Sequence, residues 1–105
     1  MIEDTYGLQA DDLSSAERLI TTALNCVFTL CENDSRGGDY FRFDDGNGEN
    51  IYLLQNNFIA EENVWREDDF RNWAYILYAT QRTEGEAMAI REKLLKSGAK
   101  LLRSC

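Results

Sequence analysis

The chain has 105 residues, 44% of them hydrophobic, with eleven Lys and Arg set against nineteen Asp and Glu for a net charge of −8. That length supports one domain with a core and excludes two; no run nears the ~18 apolar residues of a membrane helix, and the start, MIEDTYGLQADD, is acidic where a signal peptide is basic and then apolar, so a cytoplasmic protein is expected. Residues 1–69 hold sixteen acids and four bases, residues 70–105 three acids and seven bases; with only Arg91, Lys93, Lys96, Lys100 and Arg103 as a basic set, direct nucleic-acid binding is not expected.

Residues 1–12 show no periodicity, and Thr5 to Gln9 read equally as a short edge strand or a loop. From Leu13 the apolar residues Ala16, Leu19, Ile20, Ala23 and Leu24 follow helical spacing, and Ser14 with Glu17 has the form of a capping box, so a first helix is expected to end near Asn25. Cys26 to Cys31 is a continuous apolar run of strand length, read as a strand buried on both faces, with its two thiols on opposite sides. Glu32 to Gly38 is a loop by its breaker residues. Tyr40, Phe41 and Phe43, then Ile51 to Leu54, form a hairpin around Asp45-Gly46-Asn47-Gly48, a turn rich in residues that tolerate positive φ. Residues 56–72 read as a long loop with room for a helical turn. Trp73 to Ala79 is the most apolar run and is expected to be a central strand. Thr83 and Glu86 open a second helix, Gly98 stops it, and residues 99–103 form a last short strand. The order α-β-β-β-β-α-β predicts an α+β two-layer sandwich, a mostly antiparallel sheet of about five strands with both helices on one face.

No histidine is present, which removes the commonest general base, the usual triads and most zinc sites. Carboxylate pairs such as Asp44-Asp45 and Asp68-Asp69 sit on turns, where they are usually solvated, so no catalytic residue is assigned and a non-enzymatic role is expected. The stretch from Asp44 to Glu49 resembles a calcium loop at first sight. The match fails, because Asn50 stands where the sharp-turn glycine belongs and Asn56 where a bidentate Glu closes the site, so neither a metal nor a cofactor is expected. Cys26, Cys31 and Cys105 are an odd number and read as reduced thiols. Two readings stand for Trp65, a core cap or an interface anchor among carboxylates.

Gly38-Asp39-Tyr40-Phe41-Arg42-Phe43, the pair Asn56-Asn57, Trp65-Arg66-Glu67-Asp68-Asp69-Phe70 and the strand Ala74 to Tyr78 before a helix together resemble small bacterial immunity proteins of contact-dependent and other polymorphic toxin systems. The resemblance spans roughly residues 37–103. It implies a cytoplasmic protein that binds and neutralises one cognate toxin domain, commonly a nuclease. For such a basic partner the expected contact face is acidic, built from Asp44, Asp45 and Glu49 of the turn and from Glu61, Glu62, Trp65, Glu67, Asp68 and Asp69 of the later loop, with the protein a monomer or a homodimer. The alternative is a small regulatory or scaffolding module that self-associates through a sheet edge such as that of the carboxyl-terminal strand.

Overall fold

The computed structural model describes residues 1–33, 38–47 and 50–105. Its first element occupies the stretch without periodicity: β1 (Ile2–Leu8) is a full strand. It is followed by α1 (Leu13–Leu24), β2 (Thr29–Asn33), β3 (Gly38–Asp44), β4 (Ile51–Asn56), the two-residue strands β5 (Phe58–Ile59) and β6 (Val64–Trp65), β7 (Tyr75–Gln81), α2 (Glu84–Lys96) and β8 (Lys100–Ser104). The main sheet has the order β2-β3-β4-β7-β1-β8, with every neighbouring pair antiparallel. The expected α+β sandwich is therefore present, with six main strands rather than five. Because β7 and β8 both run antiparallel to β1, α2 links two parallel strands that flank a third. The four strands β8-β1-β7-β4 with the two helices make a ferredoxin-like split β-α-β layout, extended at the β4 edge by β3 and β2. Such a frame hosts many functions and names none.

Alternation along the strands sorts the residues onto two faces. Tyr6, Leu8, Tyr52, Leu54, Leu77 and Ala79 point toward the helices and pack with Ala16, Ile20 and Leu94. Arg91 on α2 reaches the same face and grips Asp4 of β1 with two hydrogen bonds, Nε to Oδ2 at 2.7 Å and a second from the guanidinium to Oδ1 at 2.9 Å; it also donates to the Ser104 hydroxyl of β8. Burial alone raises the Asp4 pKa, but the bonds from Arg91 and Ser104 and the Arg91 charge outweigh it and leave the carboxyl below its ordinary value. Burial and the Asp4 charge push the neighbouring Tyr6 hydroxyl the other way, far above its usual range.

Three local expectations are corrected. The 26–31 run is not a strand buried on both faces: β2 begins at Thr29 and is an edge strand, with Val27 83% and Leu30 53% exposed. Asn25 closes α1 in the left-handed region (φ 53°), and residues 26–28 carry the chain from the helix layer back to the sheet. Phe28 anchors that crossing, edge-on to Phe43 and Tyr52 at 6.4 Å each. Cys26 thus precedes the strand and does not alternate with Cys31. Second, α1 is capped by Asp12, whose carboxylate accepts from the Ser15 N–H at 2.7 Å, so the Ser14–Glu17 box is not used. Third, residues 56–72 are not a plain loop, since they contain the β5–β6 hairpin as well as a 3₁₀ turn at Asp68–Phe70. The Thr83 cap does form, accepting from the Glu86 N–H at 3.2 Å. Part of the predicted loop after β2, residues 34–37, and positions 48 and 49 of the hairpin turn lie outside the described residues.

Candidate functional site

The acidic turn at the head of the β3–β4 hairpin is held by its own carboxylates. Asp44 accepts from the Gly46 N–H at 2.8 Å and pairs with Arg42 at 3.2 Å. Asp45 accepts from Asn47 at 2.9 Å and from Asn50 at 3.1 Å, which folds the turn around Gly46 at φ +86°. Both acids therefore hold backbone donors in place. Glu49, expected to join them, lies outside the described residues. Among the described residues no group of three His, Cys, Asp or Glu converges to hold a metal ion.

The other acidic stretch leaves the opposite end of β4. Six residues of strand, at about 3.3 Å each, separate the turn from the start of this segment by roughly 20 Å along β4. The segment 57–74 is organised by Asn57, a fully buried side chain. Its Nδ2 donates to the carbonyls of Phe70 and Trp73 at 2.9 and 2.8 Å, and its Oδ1 accepts from the Glu67 N–H at 2.8 Å. Its own backbone bonds Ala74 and Arg66. One side chain thus ties both ends of the segment to the end of β4. Gln9, just past β1, adds a clamp by donating to the Asn72 carbonyl and accepting from the Ala74 N–H.

The same segment covers part of the sheet face that the helices leave open. Trp73 lies against Gly7 so closely that a Cβ there would stand 2.6 Å from two ring carbons. Glu67, expected as a partner contact, is turned inward: its side chain is only 14% exposed, and its carboxylate pairs with Arg103 of β8 at 2.7 Å and accepts the Tyr78 hydroxyl of β7. Burial and that carboxylate raise the Tyr78 pKa well above its usual range. Asp68 is exposed but paired with Arg71 in the 3₁₀ turn at 2.5 Å. Glu61, Glu62 and Asp69 are exposed.

Between these acids stands an apolar knuckle. β5 pairs with β6 so that Phe58 faces Trp65, their ring centroids 5.1 Å apart, and Asn63 makes the tight turn with φ 54°. Phe58 is 40% and Val64 44% exposed, and Trp65 is half-buried against Phe58 rather than in the main core. Phe58, Val64, Trp65, Asp68 and Arg71 border a shallow cleft of about 470 Å³. Of the two readings for Trp65, its place in the fold is that of a surface aromatic braced by a second ring. Asn57, Phe58 and Val64 are not among the contact residues expected from the sequence; Asn57 enters there only in the Asn56-Asn57 pair at the end of the hairpin.

No described helix is long and apolar enough to cross a membrane. No protein-family model matches the chain, and no curated protein matches it either.

Proposed function

We propose that this protein is a non-enzymatic inhibitor of the immunity type, which binds a basic toxin domain, most naturally a nuclease, through the β5–β6 hairpin. The observation that carries the reading is the pair of exposed residues Phe58 and Val64 with the half-buried Trp65, all held outside the core and bordered by Glu61, Glu62 and Asp69. A two-stranded ribbon has little stability of its own. Presenting aromatic surface on such a ribbon, braced by Asn57, suits a contact that becomes dry only against a partner. The carboxylates would steer a basic surface toward it. As such an inhibitor it would act in the cytoplasm.

The test starts from the reading frame immediately upstream, where a large secreted protein is expected; its basic carboxyl-terminal domain is the binding partner to use. Trp65→Ala is expected to weaken its binding by about 2 kcal/mol, roughly thirtyfold, mostly in dissociation. Reversing Glu61, Glu62 and Asp69 to Lys is expected to slow association by about tenfold at low salt and to flatten its salt dependence. Affinity and rates unchanged in both variants would overturn the assignment of this face.

A second reading, self-association through a sheet edge, is favoured by one observation. β2 is an edge strand that carries exposed Leu30 and follows exposed Val27, and β8 is the other edge. Light scattering on the eluting protein separates the two: a stable dimer broken by Leu30→Lys supports self-association, and a monomer with unaltered target binding in that variant supports the hairpin.

A further inference from the structure

On the face of the sheet away from the helices, the part not covered by the 57–74 segment contains a cleft of about 220 Å³. It lies along the seam between β4 and β7, where Ile51 pairs with Thr80, Leu53 with Tyr78 and Gln55 with Ile76. Ile51, Leu53 and the Tyr78 ring give it apolar walls. Strand alternation places Gln55 on the same face as Ile51 and Leu53, at a position where a third aliphatic residue would complete the apolar row. Gln55 is only 1% exposed, and its Oε1 is closed off from solvent without a hydrogen-bond partner. Native structures seldom leave a buried polar atom unmet, and Gln55 lines the open cleft, so a small turn of its amide would present the unmet atom to a group arriving from outside. The neighbouring polar groups do not supply it: the Tyr78 hydroxyl is committed to Glu67, and the Arg66 Nε donates to the Asn56 carbonyl.

We infer that this cleft binds a small, neutral, planar ligand with an amide-type edge, one donor beside one acceptor, as a lactam, a carboxamide or a nucleobase presents, with Gln55 as the group that reads it. A carboxamide carries one acceptor and a donor side by side, and the complementary edge carries the same pair reversed. Turning the Gln55 amide by half a turn exchanges the two and leaves the requirement the same in kind. Aliphatic side chains beside the amide suit the faces of a flat ring. Glu3 and Arg66 border the cleft with one charge of each sign, which favours a ligand without net charge. The volume lies below the ~300 Å³ at which drug-sized pockets begin, so the ligand is of fragment size. This site is separate from the hairpin and does not depend on the toxin-binding reading.

The experiment is a titration of the full ¹⁵N-labelled chain with uracil, adenine, nicotinamide and acetamide, with toluene as a ring that lacks both donor and acceptor. Saturable shifts of the Gln55 side-chain NH₂ signals and of the Leu53 and Thr80 amides are expected for at least one amide-bearing probe and not for toluene. Gln55→Leu, which replaces the unmet amide with an apolar group of similar size, is expected to melt no lower than the wild type and to weaken that binding by roughly tenfold or more. Should Gln55→Leu fail to fold, Ile51→Trp narrows the cleft while keeping the amide, and is expected to abolish the same shifts. Signals that stay fixed with every probe, or that move equally with toluene, would overturn the proposal and leave a solvent-filled dimple.

Discussion

On the helix-covered side of the sheet, Tyr6, Leu54 and Leu77 lie fully buried under α1 and α2, and the charged pair there, Asp4 with Arg91, joins elements 87 positions apart; on the other side, the 57–74 segment is held by three bonds from Asn57, a Glu67–Arg103 pair and one aromatic ring on Gly7. The first face is closed by apolar area contributed from throughout the chain, so damage there is felt by the whole fold. The second is closed by one segment through a few polar ties and one aromatic ring, so the segment is expected to open without the sheet. A binding surface belongs on the second kind of closure, because it can be varied or moved at little cost to the core. The hairpin proposed to carry function is on that side.

The largest effect that tests this contrast is expected from Asp4→Asn. It leaves Arg91, whose side chain is 23% exposed, without its carboxylate. Breaking one half of a fully buried pair costs about 3–5 kcal/mol, and with Arg91 partly in water the lower end, about 3 kcal/mol, is expected. At about 4–8 °C per kcal/mol for a domain near this size, the melting temperature falls by more than about 10 °C, with all probes moving together. The pH dependence follows in sign. Asp4 has a lowered pKa in the folded state, so its contribution is complete above the unfolded value of about 3.9 and is lost as the pH falls through the folded value. The wild-type urea midpoint should therefore drop on acidification below pH ~4 more steeply than that of Asp4→Asn. Parallel curves would remove Asp4 from the acid response.

Asn57→Ala comes next and differs in kind. It removes three hydrogen bonds and leaves two carbonyls and an N–H unmet, for a local cost of about 2 kcal/mol, or roughly thirtyfold in the opening equilibrium of the segment. Hydrogen exchange is the measurement: the amides of Arg66, Glu67 and Trp73 should exchange faster while those of Leu54 and Leu77 stay close to their wild-type protection. Equal acceleration at Leu54 would mean that the two faces unfold as one unit and that the contrast is false.

The same contrast explains what the sequence made legible. The five expected strands and both helices were carried by apolar runs and periodic spacing, which is the signal that the helix-covered face leaves in a sequence. In the sequence β1 stays undecided between strand and loop because its inward residues, Asp4, Tyr6 and Leu8, include an acid, and Asp4 is tolerable there only through an arginine 87 positions later. β2 was misread because an apolar run does not say whether a strand is central or at an edge, and the helices do not extend over Leu30. On the other face no periodicity exists to be read: Asn57 acts through backbone partners that only the folded segment brings near. The acidic residues were visible as a composition, but their roles were not. Asp44, Asp45 and Glu67 serve the fold, whereas Glu61, Glu62 and Asp69 face outward.

The smallest effect, and the most specific, concerns Gly7. Its missing side chain is what lets Trp73 lie flat on β1, since a Cβ would sit 2.6 Å from the ring where carbon contacts settle near ~3.5–4.0 Å. Gly7→Ala is expected to cost about 1–2 kcal/mol by overpacking. A methyl group in a strand is itself favourable over glycine by about 0.5–1 kcal/mol, so a net loss must come from the ring. The decisive comparison is a cycle with Trp73→Leu, whose shorter side chain leaves room for the methyl group: in that background Gly7→Ala should turn neutral or stabilising, a coupling of about 1 kcal/mol or more in urea midpoints. If the two changes simply add, Trp73 is not what Gly7 accommodates, and the open face would have to be closed mainly by Asn57 and Glu67.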